Sequence, residues 1–315
     1  MIQPTQFIWS DGRLIPWQQA TVHVMAHGLH YGSSVFEGIR AYATDRGPTG
    51  FRLTDHLKRF ERSARIYRMD LAYDLDALLA ACREVVLQNG LRSAYIRPIA
   101  YRGLGDLSLS SGASPISIAI AAIEWNSYLG EDALEQGIDA CVSSWQRVGP
   151  NTMPTSAKAG GNYLSSQLIG MEARRLGFGE GIALDHMNMV CEGSAENIFL
   201  VQDDAIYTPP LWSSILPGLT RDTVIKLARD LGYTVHEQPI PREMLYTADE
   251  VFFTGTAAEI SPVRSIDEIP IGEAKRGPIT HALQRAFFGL FDGTTEDRWG
   301  WLEPLDPAAT LRAAG

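Results

Sequence analysis

The sequence predicts an α+β, or mixed α/β, protein of two domains. Its 315 residues are enough for two domains of ordinary size, each with its own core. Short apolar runs of strand composition are interleaved with stretches whose apolar residues recur every three or four positions. Hairpins, strands and helices are mixed along the chain with no internal repeat and no low-complexity segment.

Taken in order, "FIWSDGRLIPW" (7–17) reads as a hairpin with Asp11-Gly12 at its turn. "TDHLKRFERSARIY" (54–67) opens on Thr54 as a cap and repeats apolar residues at Leu57, Phe60, Ala64 and Tyr67, which is helical spacing. "DLDALLAACREVVLQNG" (74–90) is a second amphipathic helix, closed by Gly90. "AYIRPIAY" (94–101) and "ISIAIAAI" (116–123) are strands; the second is the most apolar run of the chain and reads as a buried strand. The strand pattern breaks over 124–137. A linker is therefore expected at 125–136, between a smaller N-terminal domain (1–124) and a larger C-terminal one (137–315). The larger domain should contain a strand at 138–144, a Pro/Gly-rich loop at 149–161 and a helix at about 162–176. Strands near 181–185 and 196–201, a helix at 220–232 and the strand "EVFFTG" (250–255) complete it. After Trp301 the tail is polar and Ala/Pro-rich, and is expected to fray.

Apolar residues make up 45% of the chain, yet no stretch is long enough to span a bilayer. The N-terminus lacks the basic start and apolar core of a signal peptide. Twenty-seven basic against 37 acidic residues leave a net charge of −10, with no Lys/Arg block, which argues against nucleic acid or an anionic membrane as a partner. Cys82, Cys141 and Cys191 form no pair spacing and no metal motif, as expected in a reducing cytoplasm.

Lys158 is the residue least like its surroundings. It stands in "SAKAGGNYLSSQ" (156–167), among small residues, with a Gly-Gly pair beside it and Tyr163 five positions on. An isolated lysine is ordinarily a solvated loop residue. The chemical alternative is a Schiff-base lysine. That role needs a neutral amine, which a free lysine with a pKa of about 10.4 scarcely supplies at neutral pH unless low dielectric or a nearby cation depresses it. Small neighbours would leave space for a flat ring against the backbone.

Three further segments carry candidates. In "LPGLTRDTVIKLARDLG" (216–232), Pro217-Gly218 turns the chain and Thr220 sits where a helix should begin, so the N–H groups of Leu219, Thr220 and the following residues would converge on an anion. Arg59, on the 54–67 helix, is a candidate second phosphate contact. In "CEGSAENIFL" (191–200), Glu192 and Glu196 precede strand residues, and a carboxylate there could hold a pyridine nitrogen protonated. In "AYIRP" (94–98), Tyr95 and Arg97 share one face of a strand, where they can bind a carboxylate. Plain turn, cap and surface roles remain the alternatives for each. "GLGDLS" (103–108) echoes a dinucleotide fingerprint, but no helix follows it in the sequence. His23, His27 and His30 have helix-like spacing, whereas Val22, Val24 and Met25 suggest strand, and no acidic or cysteine ligand is near, so no metal is expected.

Together these segments resemble the branched-chain amino acid aminotransferases of bacterial type, pyridoxal 5'-phosphate (PLP) enzymes of fold type IV. The resemblance runs from about Phe7 to Trp301 and is carried by "HGLHYGSSVFEGIR" (27–40), "AYIRP", "PTSAKAGGNYLSS" (154–166), "EGSAENIF", "LPGLTRD" and "FFTGTAAEISPV" (252–263). It implies the two-domain architecture of aminotransferase class IV, similar to D-amino acid aminotransferase, with PLP bound by the larger domain. By position, it implies that Lys158 holds PLP as an imine, Glu192 faces the pyridine nitrogen and Tyr163 faces the phenolic oxygen. Arg59, Thr256 and the backbone of Leu219 and Thr220 would hold the phosphate. The amides of Thr256 and Ala257, with Tyr95, would take the substrate α-carboxylate. Phe36, Trp125, Tyr128 and Tyr163 would line the side-chain pocket. Arg97 would lie at its far end, with Tyr31 supplied by a second subunit.

The implied reaction moves amino groups between leucine, isoleucine or valine and 2-oxoglutarate. The family's active sites lie at a dimer interface, which implies at least a homodimer. Alternatives on the same fold are a D-amino acid or (R)-amine transaminase and a lyase of the aminodeoxychorismate type. The loop "YRGLGDLSLSSG" (101–112) departs from the family's Gly/Val-rich turn, carrying Leu107 and Leu109 around Ser108.

Overall fold

The computed structural model describes residues 2–110, 112, 114–125 and 131–306. The chain divides into two compact units. The first comprises Met1–Asn126, Ala157–Gly161 and Leu290–Gly315; the second comprises Ser127–Ser156 and Asn162–Gly289. The expected boundary at 125–136 places 137–315 in a single domain, whereas here the lysine segment and the C-terminal tail group with the first unit. Within that expected linker, 131–136 form a short helix. Tyr128 lies outside the described residues.

In the first unit, β1 (Phe7–Ser10) and β2 (Arg13–Pro16) form the expected hairpin. Asp11 and Gly12 both have positive φ, 43° and 93°, as a two-residue turn matched to strand twist requires. No strand forms over 22–25. The chain instead makes a five-residue helix, α1 (His27–Tyr31), ended by Gly32 in the left-handed conformation. Strands β3 (Ser34–Phe36), β4 (Ile39–Thr44) and β5 (Gly47–Phe51) follow. Next come helices α2 (Leu53–Ile66) and α3 (Leu75–Gln88), then strands β6 (Ala94–Arg102) and β7 (Ile116–Glu124). Asp74 caps α3 by accepting from Ala77 N, and Gly90 turns the chain out of it with φ 65°.

The sheet of this unit is antiparallel throughout. Its order runs from a C-terminal strand (Leu302–Pro304) through β5, β4, β6, β7 and β1 to β2, with β3 also paired to β6. Ile39, Ile96, Ile118 and Ile120 from the strands pack with Leu57, Phe60, Leu78 and Val85 from the two helices, all fully buried. The alternation in β7 makes it half-buried rather than covered on both faces.

Two expectations about α2 and the tail are corrected. Thr54 is not the cap. The helix starts at Leu53 behind Arg52, whose side chain makes no capping bond. Glu303 caps instead, accepting from Thr54 N at 2.8 Å and Thr54 Oγ1 at 2.6 Å. The tail therefore does not fray directly after Trp301, because it adds a strand beside β5, buries Leu305 completely and caps a helix. Residues beyond 306 lie outside the described residues.

The second unit opens with α4 (Glu131–Gln136) and β8 (Ile138–Val142), followed by α5 (Tyr163–Arg175), β9 (Glu180–Leu184), β10 (Val190–Glu192), β11 (Asn197–Gln202) and β12 (Ala205–Thr208). Then come α6 (Leu219–Asp230), β13 (Val235–Glu237), α7 (Met244–Thr247), β14 (Glu250–Gly255), β15 (Glu259–Ile266) and β16 (Ile269–Pro270). Helix α8 (Pro278–Asp292) follows, its N-terminus capped by buried Glu250. The sheet order is β10-β9-β8-β15-β14-β11-β12-β13, and β10 also pairs with β11, so six strands close into a ring. Ile182, Val190, Ile198, Leu200, Val251 and Phe253 fill its core. Among the described residues, no helix is long and apolar enough to cross a membrane.

Candidate active site

Lys158 sits in a short extended segment laid against β3. Phe36 N donates to the Lys158 carbonyl at 2.9 Å, Lys158 N donates to Ser63 Oγ at 3.0 Å, and Val35 pairs with Ala159 across an antiparallel bridge. Both sides of the lysine's peptide are thus fixed, one by a strand and one by a helix. The small neighbours serve this docking. Ala157 and Ala159 are buried, a Cβ on Gly160 would overlap Ser34 Oγ, and one on Gly32 would lie 3.1 Å from Gly161 Cα. At these glycines the backbone and its neighbours approach closely. The Lys158 ammonium lies 4.8 Å from the centroid of the Phe36 ring.

The same Phe36 ring carries a second cation, the Arg97 guanidinium, at 4.9 Å. Arg97 donates to the Tyr95 hydroxyl at 3.1 Å, as their shared strand face requires, and the Tyr95 ring stacks on Trp125 at 4.8 Å. Gly38 admits the hydroxyl, since a Cβ there would overlap it. Phe36, Tyr95, Arg97, Trp125 and Lys158 therefore form one connected group: an apolar aromatic wall with two cations on it. Tyr31 is on α1, 47% exposed, and its ring packs on His27.

Arg59 is buried and held by Glu37 through two bonds, Nε to Oε1 at 2.7 Å and Nη2 to Oε2 at 2.9 Å. His56 Nδ1 donates to the same carboxylate at 2.7 Å. Burial alone would push the Glu37 carboxyl up; the charges of Arg59 and His56 outweigh it and hold it well below the usual carboxylate range. Burial lowers His56, and the attraction of Glu37 offsets only part of that. Glu37 and His56 escaped the sequence reading. The available signal was His56, Arg59 and Ser63 at helical spacing on one face of α2.

The second unit assembles the other candidates. Glu192 ends β10 and is 5% exposed. Its Oε2 accepts from Asn197 Nδ2 at 3.2 Å and from Leu216 N at 3.1 Å, and Asn197 Nδ2 also donates to the Leu216 carbonyl at 3.0 Å. One asparagine thereby ties the carboxylate to the turn that opens α6. Gly218 stands so close to Asn197 Oδ1 that a Cβ would overlap it. Helix α6 begins at Leu219, one residue before the expected start, with Gly218 at its N-cap and no capping side chain; Thr220 lies inside the first turn. Thr256 and Ala257 form the tip of the turn joining β14 to β15, and Tyr163 is the first residue of α5.

Glu196 is elsewhere. It accepts from Ala195 N at 3.0 Å and lines a cavity of about 700 Å³ with Tyr163, Ser166, Phe253 and Ser261, a cavity that Glu192 does not line. Asn197 and Arg147, whose guanidinium meets Glu192 at 2.8 Å, were not singled out in the sequence. The discounted motifs are otherwise engaged. His27 Nδ1 is 2.7 Å from Ser33 Oγ, His30 Nε2 is 3.1 Å from the Val24 carbonyl, and no helix follows 103–108 among the described residues.

Within the second unit, the buried Glu192 has the chemistry to pair with a ring nitrogen, and the glycine-opened start of α6 that to hold a phosphate; within the first, the pinned Lys158 has that to take up a carbonyl. The family model for amino-transferase class IV matches residues 34–266. The branched-chain-amino-acid aminotransferase of Salmonella typhimurium is 55% identical over 303 residues, covering 95% of this chain and 97% of that protein. The crystal structure of the Escherichia coli branched-chain amino acid aminotransferase superposes with a TM-score of 0.94 at 54% identity, over 96% of this chain and all of that one. The branched-chain amino acid aminotransferase from Thermobaculum terrenum, solved in its PLP form, gives 0.90 at 35% identity, over 96% of this chain and 99% of that one. The chain belongs to the amino-transferase class IV family and, within it, to the branched-chain amino acid aminotransferases.

Proposed function

We infer that the protein is a PLP-dependent transaminase exchanging amino groups between leucine, isoleucine or valine and 2-oxoglutarate, giving branched 2-oxo acids and L-glutamate. The observation that carries this reading is the Phe36 ring with both Lys158 and the Tyr95-bonded Arg97 against it. It offers a reactive amine, an apolar wall for a branched side chain and a cation for a second carboxylate.

PLP, when bound, supplies a carbonyl for the amino group and a ring that withdraws electrons from the substrate Cα. Lys158 takes the proton from that Cα and returns one, a step for which its amine must be neutral. Docking of its peptide against Phe36 and Ser63 removes freedom that would otherwise have to be lost at reaction. Glu192 holds the ring nitrogen and Tyr163 the phenolic oxygen. Arg59, Thr256 and the amides of Leu219 and Thr220 hold the phosphate, with Glu37 orienting Arg59. Tyr95 and the amides of Thr256 and Ala257 take the α-carboxylate. Phe36, Trp125 and Tyr128 receive the side chain, with Tyr31 of a second copy, so the working form is at least a homodimer. A reducing cytoplasm suits the chain's three free thiols.

The test is an amino-donor panel with 2-oxoglutarate as acceptor. Leucine, isoleucine and valine should be the preferred donors, each yielding L-glutamate. Preference for D-alanine or an (R)-amine would place the protein with the other transaminases of this fold.

A further inference from the structure

Arg147 lies between β8 and α5, 6% exposed. Its Nη2 stands 2.8 Å from Glu192 Oε1, its Nη1 donates to Ser166 Oγ on α5 at 3.0 Å, and its backbone N donates to the Leu184 carbonyl at 2.9 Å. The arginine is thus anchored at its backbone and at Ser166 as well as at the carboxylate. Glu192 is as buried as its partner, and its other oxygen faces Asn197 and Leu216 N.

A buried carboxyl without a cation tends to take up a proton and become neutral. A guanidinium does not lose its proton in a protein, so in this pair the charge state of the arginine is fixed and that of the carboxylate follows it. Burial works against the charge on Arg147, but the attraction of Glu192 more than compensates and raises its pKa. The other acid at this spot is not a rival anion, because burial first, and Glu192 second, push the Cys191 thiol far above its ordinary range.

We propose that Arg147 is a positioning residue that keeps Glu192 ionised and thereby sets which end of the hydrogen bond to the cofactor's ring nitrogen carries the proton. This rests on the reading of Glu192 as the partner of that nitrogen. With Arg147 in place the bond is carboxylate to pyridinium, the form in which the ring withdraws electrons. With Arg147 neutralised, one proton moves from nitrogen to oxygen and the bond becomes carboxylic acid to pyridine, with no net change in atoms or charge across the pair.

The test uses holoenzyme loaded with PLP labelled with ¹⁵N in the ring, in wild type, Arg147→Lys, Arg147→Met and Arg147→Gln, with the ¹⁵N shift recorded at rest. Wild type and Arg147→Lys should show a protonated ring nitrogen. Arg147→Met and Arg147→Gln should move toward the neutral shift, with kcat down on the order of ten- to a hundredfold and KM for leucine little changed. Arg147→Gln keeps a donor for Ser166 and decides the matter should Arg147→Met fail to fold. A nitrogen as protonated in the neutral variants as in wild type would overturn the role of Arg147 and leave that of Glu192 standing. An unprotonated nitrogen in wild type would overturn the Glu192 reading and this inference with it.

Discussion

In the function proposed, Arg97 is the single side chain that lets one pocket take both leucine and glutamate. An apolar wall such as the Phe36 ring suits leucine, whereas a second carboxylate is costly to bury without a cation. Arg97 is held over that ring and bonded to Tyr95, so its charge is already in place before substrate arrives. Arg97→Leu should therefore raise KM for glutamate and 2-oxoglutarate by roughly ten- to a hundredfold, with a far smaller change for leucine. Steady-state kinetics of both half-reactions decide it, and equal losses would mean that Arg97 reads the α-carboxylate instead. Period-two alternation was enough to place Tyr95 and Arg97 together from the sequence. It could not reveal Glu37, Arg147 or Asn197. Each matters through a partner distant in sequence or across a turn, and nothing in the local composition announces a buried ion pair.

At the level of elements, α2 is the scaffold of the candidate groups in the first unit. One face carries His56 and Arg59 to Glu37 and Ser63 to Lys158 N. Its periodicity was legible because a helix repeats locally. Its start was misread because the capping carboxylate comes from Glu303, 249 residues along the chain from Thr54. Glu303→Ala removes both acceptors of Thr54 and should cost roughly 1 kcal/mol in urea unfolding. Glu303→Gln, which still offers an oxygen, should cost less. If neither variant changed the midpoint, the tail would not be capping this helix. The start of α6 was placed one residue late for a related reason: a threonine is a common cap, but here a glycine takes the position so that the chain can pass close to Asn197.

For the whole molecule, the division into units was the least legible feature. Sequence continuity suggests one cut near 125–136, whereas Ala157–Gly161 joins the first unit through a β-bridge and the tail joins it through a strand, both non-local pairings. Stability against acid follows from the buried Glu37–His56–Arg59 cluster. Both titrating groups have folded pKa values below their unfolded ones, so the unfolded chain binds more protons and stability falls as pH falls. The loss through His56 begins near its unfolded value, about 6.5, and that through Glu37 near about 4.3. Thermal unfolding from pH 8 downward should show the midpoint dropping across this window, and His56→Asn should flatten the upper part of the drop. A wild-type midpoint indifferent to pH between those values would contradict it. In the function proposed, Lys158 is the residue to which PLP is bound. Borohydride reduction of the holoenzyme followed by peptide mass spectrometry tests it directly. The phosphopyridoxyl group should appear on Lys158 and on no other residue, with Lys158→Ala binding PLP without covalent attachment and unable to transaminate; a label on any other lysine, or turnover by Lys158→Ala, would overturn the assignment.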